Sequence, residues 1–403
     1  MTVAQRTPKR IAIVGGSAAG LFTAQLLARA GQHVRVFERE PSFDPTPRTL
    51  IVTTHLRRLL GAAAAGSVVN EINRFEMFAD GRVANVRLAR PDLIIERSRV
   101  IRGLAEESAA AGARIELGRS FRGIEPGGNS LRVHVERRDA TASEQFDADA
   151  VVGADGAFSR VARAAGWPRQ ATVPLVQAMV RWPQNVPADT VRVWFVPEDT
   201  PYFYWLIPES PSRGVLGLIG EDGRDTRRCL DRFLDRQRLT PLKFQGARIP
   251  LYERWIPVHR KLGRADVYLV GDAAGQVKVT TVGGIVTGLR GALGVAQALL
   301  NGGSSRELRA LRRELDLHLW IRRGLHHFTQ SDYCRLFDLL SASALEPLRL
   351  HHRDEAGKLL WRLCLRQPRL LLLGIRSLLT GGALRASDSP SLPFSTPGSA
   401  EAD

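Results

Sequence analysis

Arg10-Ile11-Ala12-Ile13-Val14 is an apolar run of strand character, and the residues after it leave the chain few choices of fold. Gly15-Gly16-Ser17-Ala18-Ala19-Gly20 leads into a helical stretch, Leu21 to Ala30, and Gly31 stands where a helix C-cap belongs. Val34-Arg35-Val36-Phe37 is a second strand, ending in Glu38. Strand, glycine turn, helix, strand, acid is the order of a dinucleotide-binding βαβ unit. Gly15 permits the tight turn and Gly20 lets helix and strand approach. Glu38 lies 18 residues beyond Gly20, the distance that brings a carboxylate to ribose hydroxyls. Ser17 replaces the middle glycine and is small enough for a pyrophosphate to reach the helix N-terminus.

Two further turns follow strands of the same kind. Ala148 to Val152 reads as a strand, Gly153-Ala154-Asp155-Gly156 turns the chain, and Ser159 to Ala165 can be helical. Later, Val267-Tyr268-Leu269-Val270 leads into Gly271-Asp272-Ala273-Ala274-Gly275, and Gly283-Gly284-Ile285 opens a small-residue helix, Val286 to Leu293. An aspartate at such a turn can accept a hydrogen bond from a sugar-alcohol hydroxyl. Paired glycines at a helix N-terminus let backbone N–H groups approach an electron-rich ring. A nucleotide fingerprint combined with a seat for a sugar-alcohol chain points to FAD, held without a covalent bond.

In this order and spacing, the turn with Glu38-Arg39, the Gly153-Ala154-Asp155-Gly156-x-x-Ser159 turn and Gly271-Asp272-Ala273-Ala274 resemble the FAD-dependent oxidoreductases of the aromatic-hydroxylase type (the group A flavoproteins), over roughly residues 8–300. The resemblance implies an α/β fold: a Rossmann-like FAD-binding domain, an antiparallel β-sheet substrate domain and a helical C-terminal region. It implies that Gly15, Ser17, Gly20, Glu38 and Arg39 serve the ADP half of FAD, Asp272 the ribityl chain, and Gly283 and Gly284 the flavin. Asp155 would support the site. Arg97, from Glu96-Arg97-Ser98-Arg99, would lie along the cofactor where a helix, Val100 to Ala111, opens; Ile101 stands where the family often has Asp.

Within this superfamily the chain is most similar to the geranylgeranyl reductase group, whose last motif runs Gly-Asp-Ala-Ala-Gly-x-Val-x-Pro-x-Thr-Gly-Gly-Gly-Ile. Here Val279 replaces the Pro and Val282 the first Gly of the triplet. Phe203-Tyr204-Trp205-Leu206-Ile207-Pro208 matches that group's aromatic-x-Trp-x-apolar-Pro motif, which implies that Phe203 and Trp205 wall the substrate cavity. The group's Cys-Gly segment has no counterpart in Pro45-Thr46-Pro47-Arg48-Thr49-Leu50. Flavin halogenases share the Trp-x-Ile-Pro element but use a catalytic lysine. The lysines here are Lys9, Lys243, Lys261, Lys278 and Lys358, none of them near Arg48 in sequence.

Composition narrows the alternatives. With 403 residues the chain can hold two compact domains or one composite domain, and 44% hydrophobic residues is ordinary for a globular enzyme. Three cysteines without Cys-x-x-Cys spacing predict neither a disulfide framework nor structural zinc, and suit a cytoplasmic location. The adjacent histidines, His326-His327 and His351-His352, point in different directions on a helix, so no metal site is expected. No stretch of ~18 apolar residues predicts a transmembrane helix. The net charge of +16 comes almost wholly from dispersed arginines and has no nucleic-acid motif beside it. An anionic membrane surface is the better use for it. Lys358 to Arg366 and Pro368 to Leu379 mix leucine and arginine at helical spacing, which reads either as a peripheral amphipathic pair or as helices packed on the domain.

The expected organisation is a discontinuous FAD-binding domain (8–45, 95–165, 265–300), a substrate-binding domain (46–94, with a helix and short strands, and 166–262), a helical region (301–386) and a disordered tail (387–403). The expected function is reduction of C=C bonds in a small hydrophobic, isoprenoid-type substrate, with NAD(P)H or another reductant as electron donor. The alternative is an NAD(P)H- and O2-dependent monooxygenase on the same cofactor. A third reading keeps FAD structurally in a non-redox protein. No side chain stands out as catalytic.

Overall fold

The computed structural model describes residues 7–44, 48–137, 143–221, 225–340, 342–351, 353–370 and 372–377. The tail 387–403, Pro45 to Pro47 and Leu378-Leu379 lie outside them. Five parallel strands, in spatial order Ala265–Leu269, Ala150–Gly153, Arg10–Val14, His33–Phe37 and Arg114–Glu116, form one sheet, and His259–Leu262 adds an antiparallel edge. Arg10–Val14 sits in the middle with Ile11 to Val14 buried, which is why its sequence is continuously apolar. Helix Ala18–Arg29 packs on this sheet and against helices Arg97–Ala110 and Ile285–Leu300. Helix Arg97–Ala110 begins three residues before the expected Val100, because the Glu96 side chain caps it by accepting from the N–H groups of Ser98 and Arg99.

The second sheet has eight strands and carries the cavity described below. It is antiparallel except for one parallel pairing, between Thr190–Trp194 and Val68–Ala79. Of the elements expected in 46–94, one short strand, Thr49–Val52, and a helix, His55–Leu60, are present, while the later part forms one long hairpin, Val68–Ala79 and Arg82–Glu96. Its turn is Asp80-Gly81, both at positive φ (43° and 76°), a connection whose twist matches that of the flanking strands. Bulges at Val68/Asn70 and Ile72/Arg74 interrupt the alternation that would mark long strands in the sequence. Strand Tyr204–Ser210 separates its faces cleanly. Tyr204 stacks on Phe233 of helix Thr226–Arg236, with centroids 3.8 Å apart, while Trp205 and Ile207 face the other way.

Helices Arg306–Leu325, Gln330–Leu339, Ala342–Leu350 and Ala356–Arg366 follow, with further helical residues at 368–370 and 372–377. Among the described residues, no helix is long and apolar enough to cross a membrane.

The approach of helix Ala18–Arg29 to the strand end depends on Gly20, where a Cβ would stand 2.4 Å from the Gly15 carbonyl oxygen and 2.8 Å from the Ala154 Cβ. Gly20→Ala is expected to cost about 1–3 kcal/mol through overpacking. The check is the midpoint of thermal unfolding, which should fall.

Candidate functional site

The three turns singled out in the sequence meet at the C-terminal edge of the parallel sheet, where open α/β sheets bind ligands. A Cβ on Gly15 would stand 2.5 Å from the Ala154 carbonyl oxygen and 2.9 Å from the Asp155 nitrogen. A Cβ on Gly271 would touch the Ala19 Cβ at 3.0 Å, so the third turn packs on the first helix. Ser17 caps that helix by accepting from the Gly20 N–H at 3.2 Å, which leaves the N-terminus directed at the turn. Glu38 accepts from the Gly16 N–H at 2.6 Å and the Glu40 N–H at 2.9 Å. Arg39 is exposed and pairs with Glu40 at 3.2 Å. The Asp155 carboxylate is engaged locally, accepting from the Ser159 hydroxyl at 2.5 Å and the Arg160 N–H at 2.7 Å. Burial pushes this carboxyl above its ordinary range, and those donors only partly offset it.

Asp272 occupies a single 3₁₀ turn, Gly271–Ala274, close to the start of helix Ile285–Leu300. A Cβ on Gly284 would lie 3.2 Å from its Oδ1. Burial raises the Asp272 carboxyl, opposed by the positive charges of Arg97 and Arg48. In the sequence, Arg48 carries no signal of a role. The strand next to Glu96 brings it in: the Arg48 N–H donates to Glu96 Oε1 at 3.1 Å, and its carbonyl accepts from the Arg97 N–H at 3.0 Å. Burial first, then Arg97, lowers the Arg48 guanidinium to about 10, and its buried Nε has no hydrogen-bond partner. The positive charges of two arginines act on one buried carboxylate here, with a buried donor left over. That charge balance and the helix N-terminus at Gly15–Gly20 fit a group carrying a pyrophosphate and a hydroxylated chain.

A cleft of about 940 Å³, its open mouth included, lies between the eight-stranded sheet and the Thr281 to Val286 segment. Phe203 and Trp205 line it, together with Ile207, Val191 and Phe75. Gly283 and Gly284 form part of the opposite wall, and helix Ile285–Leu300 starts there with no side-chain cap. Tyr202 is outside the cleft, buried under the Arg322 guanidinium, which lies 4.5 Å from its ring centroid. Val282 has a φ of 49°, a region β-branched residues rarely enter, and packs with Phe203, Trp205 and Ile219. The glycine preferred at this place in the motif is thereby explained. One end of the cleft is charged: Lys278 and Asp354, both buried, pair there beside Arg353. The sequence offered one signal for Lys278, a lysine inside the Gly271–Gly284 segment of a chain whose cations are mostly arginine. Nothing marked Asp354, which a separate helical region delivers.

Two outcomes follow. Asp272→Ala should yield protein that purifies with much less FAD, read from visible absorbance against protein content. Val282→Gly removes backbone strain of about 1–3 kcal/mol against an entropic cost of about 1 kcal/mol. The lost contacts with Phe203, Trp205 and Ile219 offset the remainder, so its unfolding midpoint should stay close to that of the parent chain.

Comparison with known proteins agrees with this geometry. Digeranylgeranylglycerophospholipid reductase 2 of Methanopyrus kandleri is 27% identical over 302 residues, covering 69% of this chain and 74% of that protein. 3-Amino-4-hydroxybenzoate 2-monooxygenase of Streptomyces cremeus is 31% identical over 169 residues, covering 38% of this chain and 41% of its own. The crystal structure of a geranylgeranyl bacteriochlorophyll reductase-like protein from Thermoplasma acidophilum shares the fold, with a TM-score of 0.74 at 17% identity, covering 90% of this chain and 97% of that one. The FAD binding domain family matches residues 9–308, and the chain belongs to it, as an FAD-dependent oxidoreductase of geranylgeranyl reductase-like fold.

Proposed function

We propose that this enzyme reduces C=C bonds of an apolar, isoprenoid-type substrate. The observation that carries this reading is the cleft, whose walls are apolar along Phe203, Trp205, Ile207, Val191 and Val193 and whose far side is the Gly283–Gly284 backbone. FAD, when bound and reduced, supplies a hydride equivalent. The protein's part is to hold, orient and exclude water. In this reading Gly15, Ser17, Gly20, Glu38 and Arg39 take the ADP half, with Asp155 bracing the turn. Arg48, Arg97 and Asp272 take the central part of the cofactor. Gly283 and Gly284 bring the helix N-terminus to the ring, where it favours negative charge. The parallel sheet with its helices is the FAD-binding unit, and the eight-stranded sheet is the substrate unit. NAD(P)H or another reductant recharges the enzyme.

The relatives named as lipid or isoprenoid reductases support this reading over the alternative, an NAD(P)H- and O2-dependent monooxygenase of a hydrophobic or aromatic substrate. The partial likeness to the Streptomyces cremeus monooxygenase keeps that alternative specific enough to test. Oxygen separates them. Under argon, with reduced enzyme, mass spectrometry of the product should show two added hydrogens. A requirement for O2 and the mass of an added oxygen atom would establish the monooxygenase.

The same substrate class explains the outer face of the C-terminal helices. Trp361 (66% exposed), Leu365 (62%) and Leu372 (66%) are set among Arg362, Arg366 and Arg369, a combination suited to an anionic membrane surface. Replacing Trp361 and Leu365 with serine should weaken sedimentation with phosphatidylglycerol vesicles while FAD content stays constant. Unchanged sedimentation would rule out this face as the contact.

A further inference from the structure

Adding two hydrogens across a C=C bond takes a hydride and a proton, and the apolar cleft has one place built to hold a mobile proton. Lys278 and Asp354 are 7% and 5% exposed and form an ion pair in the cleft lining. The Lys278 Nζ lies 3.9 Å from the point a Cβ on Gly283 would occupy, beside the Gly283–Gly284 edge. The other Asp354 oxygen accepts from the Thr53 hydroxyl and faces His55 Nδ1 at 3.4 Å, and the His55 ring is partly exposed. A continuous line of exchangeable groups thus runs from the surface to the cleft: His55, Asp354, Lys278.

The charge arrangement favours proton transfer over anion binding. Lys278 is matched by Asp354, and the neighbouring cation, Arg353, is matched by Asp92 at 2.7 Å. The cluster therefore holds no surplus positive charge for a phosphate or carboxylate. A buried ion pair is an expensive way to stabilise a fold, which makes its place in the cleft wall a functional signal. Burial pushes the Asp354 carboxyl up, but Lys278 and Thr53 outweigh that and hold it below its ordinary range. Among the described residues, the other charged or titratable groups acting on the pair are Arg353 on the same loop and, from helix Arg306–Leu325, His318, which burial holds below its ordinary range and which lies 3.4 Å from Glu314.

We propose that Lys278 is the proton donor of the reduction and that Asp354 and His55 return the proton to it from solvent. In this step an Nζ–H bond of Lys278 breaks as a C–H bond forms at one alkene carbon. The other carbon receives the hydride, and its two electrons, from the reduced enzyme. Lys278 is left as a neutral amine and regains its proton through Asp354 from His55. The inference rests on the reductase reading, so its test has an arm that needs no substrate.

That arm is nitrogen NMR of the holoenzyme. With five lysines in the chain, Lys278→Met assigns the Lys278 ammonium signal. Its shift should follow the titration of His55, and His55→Gln should abolish that step; a Lys278 signal indifferent to His55→Gln overturns the relay. The second arm is anaerobic turnover of geranylgeraniol by dithionite-reduced holoenzyme. Lys278→Met, and Lys278→Met with Asp354→Asn to avoid an unpaired buried charge, should be slower by about 10²–10⁴-fold, with FAD content and reduction by dithionite unchanged; a loss within about threefold overturns the assignment. Lys278→Arg keeps the charge but cannot release a proton, so it should stay slow, and a parental rate would overturn the proton role. A parent enzyme that reduces no prenyl chain while Lys278 still follows His55 would sink the reductase reading and leave the relay standing.

Discussion

The close approach of three backbone turns at one edge of the parallel sheet is the constraint on which the rest depends. Gly15, Gly20 and Gly271 sit where a single added methyl would meet a neighbouring turn or the first helix at 3.0 Å or less. That crowding holds the N-terminus of helix Ala18–Arg29, the Asp155 turn and the Asp272 turn in one place. It also fixes where helix Ile285–Leu300 begins, because that helix packs on the first one. The second sheet and the C-terminal helices are arranged around this edge.

Charge is distributed unevenly along the site, and the unevenness separates two tasks. Around Asp272, two arginines face one carboxylate and a buried guanidinium N–H has no partner, so the region is incomplete without an electron-rich group. At the end of the cleft, Lys278 and Arg353 each have their own acid, so the charges there balance, although the buried Arg353 Nε has no hydrogen-bond partner. A surplus of positive charge recruits a phosphate-bearing cofactor. A balanced, buried set can hold and move a proton without drawing anions into an apolar cavity.

The cleft itself comes from two devices in the second sheet. The Asp80-Gly81 hairpin lets two long strands extend the sheet, and the alternation from Tyr204 to Ile207 puts Trp205 on the cleft side while Tyr204 anchors the back to Phe233. Val282 closes the opposite side in a strained conformation, narrowing the space beside Gly283. The loop carrying Arg353 and Asp354 forms one end and runs straight into the helix that exposes Trp361. The mouth of the cleft and the apolar outer face are thus neighbours in the chain.

What the sequence determined by itself was local: strand–turn–helix units, the acid 18 residues beyond a glycine, and aromatic residues alternating along a strand. These signals survive in one dimension because backbone sterics and period-2 geometry act over a few residues. The start of helix Arg97–Ala110 was legible only in part, since its cap, Glu96, was hidden in a run of charges. The hairpin strands of 68–96 were obscured by bulges. The tertiary structure alone decided that Arg48 joins Arg97 beside Asp272, and that Asp354 crosses from the C-terminal region to meet Lys278 and His55. Such pairs join residues 49 to 299 positions apart. Electrostatic partnership depends on distance in space, and no periodicity in the chain records it.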